Sequence, residues 1–175
     1  MSYVFKLPTL LCILTLTCFG ALSQTEFPKE FIAHARLHSG MITGAGNTPD
    51  IFVGGLQVVP QVTLVEHKMR GGILAGGAYS YKKLSGMFGP TLSLNIKEFK
   101  GGHFGSLGNL HINAEHLWGT DEQRLLGGGL NLDLLNKLIV SLSAHRDYNF
   151  KNWWIQSGIA FRISKVKQPK ETFPN

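Results

Sequence analysis

The feature that most constrains this chain is a period of two in hydrophobicity, repeated segment after segment from Phe31 to Ser164. Successive side chains of a strand point to opposite faces, so such alternation describes a surface that is apolar on one side and polar on the other. A single segment of this kind is a weak signal. Eight in series, each roughly 10 to 15 residues long and bounded by turn formers, predict an all-β chain. The first, Phe31 to Thr43, sets Ala33, Ala35 and Leu37 against His34, Arg36 and His38. The second, Ile51 to Glu66, is apolar on both faces and contains Pro60, which cannot donate to a ladder; a bulge or bend is expected there and the register stays open. The third, Met69 to Tyr81, sets Ile73, Ala75 and Tyr79 against Leu74, Gly76 and Ala78. The fourth, Phe88 to Lys97, opposes Leu92, Leu94 and Ile96 to Ser93, Asn95 and Lys97.

The last four segments alternate more cleanly. Phe104 to Trp118 opposes Leu110, Ile112 and Ala114 to His111, Asn113 and Glu115, and Arg124 to Leu135 carries Gly127, Gly128 and Gly129 within an alternating strand. Leu138 to Asp147 sets Leu138, Val140 and Leu142 against Ser141, Ser143, His145 and Asp147. Trp153 to Ser164 sets Ile155, Ile159 and Phe161 against Gln156 and Arg162, and Asn136-Lys137 reads as a tight hairpin joining segments six and seven.

Which face meets lipid and which is enclosed follows from the ends of the segments. Tyr79, Tyr81, Phe88, Trp118, Tyr148, Phe150, Trp153 and Trp154 flank the odd-numbered connections, whereas Phe31, Phe99, Phe104 and Phe161 mark the opposite end. Aromatic girdles separated by a Leu, Ile and Val band are what two membrane interfaces select. The charged fraction, 16%, is low beside the roughly 25% of soluble domains. Past Gln24 no apolar run reaches the roughly 18 residues of a spanning helix, so a membrane form must be a closed barrel.

Residues 1–23 read as a cleaved signal peptide: Lys6 near the start, an apolar run from Leu7 to Leu16, then small Ala21 and Ser23 before Gln24. Residues 24–30 form a short N-terminal segment, 31–164 the barrel and 165–175 a polar, basic tail. Cys12 and Cys18 both fall in the leader, so the mature chain has no disulfide or thiolate metal site.

Leader, eight alternating segments, tight turns and girdles together resemble the small OmpA/OmpX-type outer-membrane barrels of Gram-negative bacteria. The resemblance covers Phe31 to Ser164 and is one of architecture; a polar tail, Lys165 to Asn175, follows the last strand where such barrels often end on an aromatic. It implies an up-and-down antiparallel transmembrane barrel with periplasmic termini and outward-facing odd connections. Those outer connections are expected to be about five to eight residues long. Lys68, Arg70, Lys97, Lys100, Lys137, Lys165, Lys167 and Lys170 would then gather at the inner end, as ordinary solvated turns or as a contact for anionic headgroups, peptidoglycan or an envelope protein.

Inside such a barrel, buried charges must pair. Arg36 and Arg162 stand on the first and last segments, neighbours on closure, and His111, Glu115 and Asp133 on the fifth and sixth, so two or more ionic clusters are expected in a side-chain-filled lumen. His34 and His38 lie about 13 Å apart on a strand, too far to grip one ion. Ser143, His145 and Asp147 have the residue types of a catalytic triad, yet alternate strand positions touch only at the limit of reach and no oxyanion donors stand out. The expectation is therefore a non-catalytic structural or interaction barrel without cofactor or metal, in contact with outer-membrane lipids. The alternatives are a soluble lipocalin-like carrier, which needs the apolar face inward, and a lipid-modifying hydrolase. Export makes nucleic acid an unsuitable partner despite a pI near 9.4.

Overall fold

The computed structural model describes residues 31–44, 50–100, 106–134 and 137–164; the leader, the segment 24–30, Phe104 and the tail with Lys165, Lys167 and Lys170 lie outside them. Eight strands form one closed antiparallel barrel: β1 Phe31–Thr43, β2 Ile51–Val65, β3 Met69–Ser80, β4 Lys83–Lys100, β5 Ser106–Gly119, β6 Arg124–Leu134, β7 Leu138–Asp147 and β8 Asn152–Arg162. Each strand pairs with its sequence neighbours, and β1 with β8, so no edge is left open.

Closure also fixes the stagger. A circuit of paired residues runs Ile32, Gln61, Gly72, Thr91, Glu115, Gly127, His145, Trp154 and back to β1 at Ile42, a shear of ten residues (42 − 32) over eight strands. A shear of this size tilts the strands by about 40° to the barrel axis.

Alternation carries over as burial. His34, Arg36 and His38 of β1, Asn113 and Glu115 of β5, and Ser141, His145 and Asp147 of β7 are buried inside. Leu37, Leu56, Ile73, Leu92, Ile112, Leu130, Leu142 and Ile159, one from each strand, are exposed outside. The interior also holds an apolar cluster, Ile42, Val53, Leu74, Ala78, Met87, Leu117, Leu125 and Trp154, weighted toward the end that carries the β1–β2, β3–β4, β5–β6 and β7–β8 connections, here termed the upper end.

Four expectations change. The register runs unbroken across Pro60, with Val58 opposite Ala75 and Gln61 opposite Gly72; the irregularity of β2 falls later, between Thr63 and Val65. Strand β4 begins at Lys83 and not at Phe88, because pairing with β3 continues to Ser80 opposite Lys83. Three of the four upper connections are shorter than expected, since β3 and β4 are joined by Tyr81 and Lys82 alone and Thr120–Gln123 and Tyr148–Lys151 are four-residue links, while residues 44–50 between β1 and β2 number seven, within the expected range. Finally, Asn95 faces His111 while Lys97 faces Leu110, so β4 bulges at Ile96. The extra residue reverses the phase and turns Lys97 outward, its ammonium 5.6 Å from the Phe99 ring centroid.

Candidate functional site

Strands β1, β5 and β7 each aim an ionisable side chain at the same point of the interior. Arg36 Nη1 donates to Glu115 Oε1 at 3.1 Å, and His145 Nε2 meets Glu115 Oε2 at 3.1 Å. Asn113 Nδ2, two residues along the same face of β5, also donates to Glu115 Oε1. Because β1 and β5 stand on opposite walls, the Arg36–Glu115 pair ties the barrel across its lumen. A second cross-link, Gln61 Nε2 to Ser93 Oγ at 3.0 Å, passes from β2 to β4 over Gly72, where any Cβ would lie 2.1 Å from the Pro60 carbonyl oxygen and also strike Gln61.

Of the residues expected inside, Arg36, His111, Glu115 and Asp133 are buried, and Arg162, opposite His34, is half-buried with its Nε donating to Ser164 Oγ at 3.2 Å. Alternation identified inward charges but could not reveal that Arg36 reaches Glu115 or that His145 completes the cluster.

The triad-like residues share one inner face and do different work. His145 is engaged by Glu115, whereas Asp147 Oδ1 accepts the backbone N–H groups of Asn149 at 3.0 Å, Phe150 at 3.1 Å and Arg124 at 3.4 Å, fastening the β7–β8 turn to the start of β6. No hydrogen bond joins Ser143, His145 and Asp147 to one another among the described residues.

A cavity of about 570 Å³ opens at the upper end. Its β4 and β5–β6 side presents Lys83, Ser85, Asp121 and Gln123. Its β7–β8 side presents Asp147, Phe150, Lys151 and Trp154. Ser85 Oγ donates to Asp121 Oδ2, Gln123 Nε2 donates to Ser85 Oγ at 3.4 Å, and Trp154 Nε1 donates to Asn152 Oδ1 at 3.1 Å, so the walls are braced. The sequence reading missed this mouth because Lys83 and Ser85 precede the point at which it began the fourth strand.

Tyr79, Tyr81, Tyr148 and Trp153 are exposed at the upper end and Trp118 half-buried, with His116 linking two of them: its ring lies 4.6 Å from Trp118 and its Nε2 lies 3.0 Å from Tyr148 Oη. Trp154 is a correction: only 2% exposed, it points into the barrel, since adjacent residues of one strand cannot share the outer face with Trp153. Arg70 is another, buried in the interior and so no part of an exposed basic end. Lys68 is half-buried in the β2–β3 turn and Lys97 and Lys137 are exposed, while the side chain of Lys100 is outside the described structure. Lys82, Lys83 and Lys151 are exposed at the upper end, so basic residues are not confined to the lower one.

No protein-family model matches the chain, and no curated protein sequence matches it. Among solved structures it is similar to the solution NMR structure of the de novo designed TMB2.3, at a TM-score of 0.48 and 15% identity, over 77% of this chain and 95% of that one.

Proposed function

We propose that the chain is a non-catalytic transmembrane barrel of a bacterial outer membrane, with a structural or interaction role and a lumen occupied by its own side chains. The observation that carries this reading is the inversion of polarity: every strand exposes large apolar side chains, while Arg36, Glu115 and His145 are buried. An apolar belt running round the whole molecule far exceeds the few hundred Å² that soluble monomers leave exposed, and lipid is the solvent that suits it. On β8 the exposed apolar side chains run from Trp153 to Phe161, about 26 Å along the strand and about 20 Å along a tilted axis, against the roughly 25 Å of an outer-membrane apolar band. The outward-facing apolar belt argues against the lipocalin-like alternative, which needs that face inward, and the separate engagements of His145 and Asp147 argue against the hydrolase.

Short upper connections favour a lateral or periplasmic contact over a broad external adhesive surface, with the termini on the periplasmic side. The basic tail, Lys165, Lys167 and Lys170, is the candidate for an envelope protein or peptidoglycan. Fractionation tests the reading. Retention in carbonate-washed membranes, with heat-dependent migration on a gel, is expected; full recovery in the soluble fraction without detergent would overturn it. A changed acylation of membrane lipids on His145→Ala would overturn the non-catalytic part alone.

A further inference from the structure

On the outer wall at the upper end, two arginines face outward at the border of the apolar belt. Strand parity puts Arg124 of β6 and Arg146 of β7 on the same side as Leu126, and the register brings them together. Leu126 lies opposite Arg146, so Arg124, two residues before Leu126, is the diagonal neighbour of Arg146, about 7–8 Å away. Arg124 is exposed and Arg146 half-buried, so both are reached from outside. An aromatic ring flanks each: Trp118 is paired with Arg124, and the Arg146 guanidinium lies 5.5 Å from the Trp153 ring centroid. Rings of this kind settle at headgroup depth. Among the described residues no carboxylate pairs with either arginine; Glu122, in the turn before Arg124, makes no ion pair, and Asp147 is inside the barrel.

Two like charges held this close on one face repel, and more strongly at the edge of a low-dielectric belt than in open water. An anion between them turns that cost into attraction. Guanidinium forks match phosphate oxygens in pairs, which makes phosphate the anion of choice. Beside and below the arginines, Leu126, Leu130 and Leu142 are exposed, so a phosphate that carries acyl chains gains contacts that a free phosphate lacks. We propose that the upper rim of β6 and β7 binds a phosphate-bearing membrane lipid, its phosphate held by Arg124 and Arg146 and its acyl chains laid on Leu126, Leu130 and Leu142. The proposal rests on the transmembrane reading and adds to it one headgroup site on one side of the barrel.

Tryptophan fluorescence of the barrel in detergent micelles tests this, on titration with phosphatidic acid whose brominated acyl chains quench the rings they touch. Phosphatidylcholine with the same chains is the control for partition into the micelle. Saturable quenching by phosphatidic acid, tighter than by phosphatidylcholine, is expected. Arg124→Gln with Arg146→Gln should weaken it about tenfold or more, the value of a hydrogen bond to a charged group. Lys82→Gln with Lys83→Gln, which removes the same charge from the β3–β4 hairpin, should leave it unchanged. Heat-modifiable migration shows which variants have folded, and the comparison of the two lipids needs no variant. Equal quenching by both lipids, unchanged affinity in the folded arginine variant, equal loss in the lysine variant, or displacement by inorganic phosphate at the lipid's own concentrations would overturn the proposal. Failure of the site alone leaves the barrel in carbonate-washed membranes, whereas failure of the transmembrane reading releases it to the soluble fraction.

Discussion

At the scale of single residues, Glu115 is the centre of the interior. Both its oxygens are engaged, by Arg36 and Asn113 on one side and His145 on the other. Removing one member of a buried ion pair leaves a stranded charge, whereas replacing all members by apolar groups removes the desolvation cost as well. Arg36→Met alone should therefore lose about 3–5 kcal/mol, and Arg36→Met combined with Glu115→Leu and His145→Leu should recover most of it, read from urea unfolding of the refolded barrel. His38 provides the contrast. It is buried with neither ring nitrogen hydrogen-bonded among the described residues, so His38→Leu should be neutral or stabilising, while His145→Leu alone, which abandons Glu115 Oε2, should cost about 1–3 kcal/mol. The inward position of each charge was legible in the alternation. Their meeting was not, because a contact between opposite walls depends on shear, and shear is a property of the closed ladder. The same limit explains Trp154: aromatic type suggested a girdle, but strand parity sends one of two adjacent tryptophans inside.

At the scale of elements, the bounds of strands β5 to β8 were readable to within two residues, since each alternates, although the inner face of β8 carries Trp154, Gly158 and Ala160 beside Gln156. Strand β4 was not. Its bulge at Ile96 answers to the pairing with His111 and Leu110, and a chain read alone contains no partner. Its start was hidden by the turn. Tyr81 and Lys82 have φ of 51° and 62°, the two positive values of a type I′ hairpin, yet neither is the Asn or Gly that marks such turns in a sequence. Both residues are held in a disfavoured conformation, so Tyr81→Asn with Lys82→Gly should raise stability by about 1 kcal/mol or more. Strand β6 shows the reverse case, in which glycine is required by close approach: a Cβ on Gly129 would lie 2.0 Å from the Leu142 carbonyl oxygen. Gly129→Val should prevent β6 from pairing with β7, leaving a species that fails to show heat-modifiable migration.

At the scale of the whole molecule, closure and polarity combine into one geometric demand. If lipid surrounds the barrel, the penalty for an outward charge must depend on its height along the axis and not on its local packing. Leu142 lies at the middle of β7 and is exposed, and Tyr81 lies in an upper turn and is equally exposed. In water the two positions are equivalent, since an exposed side chain replaced by arginine changes stability by little more than about 0.5 kcal/mol. In a bilayer they separate: Leu142→Arg should cost about 2–4 kcal/mol at the midplane and Tyr81→Arg about 0–1 kcal/mol near the interface. Unfolding titrations in lipid vesicles measure the difference, and Ser143→Ala, one residue along β7 on the inner face, controls for damage to the strand itself. A gap of about 2 kcal/mol or more between the two arginine variants follows from a lipid belt. Equal small effects would place the apolar face in water, and that outcome would reopen the question of what else covers it.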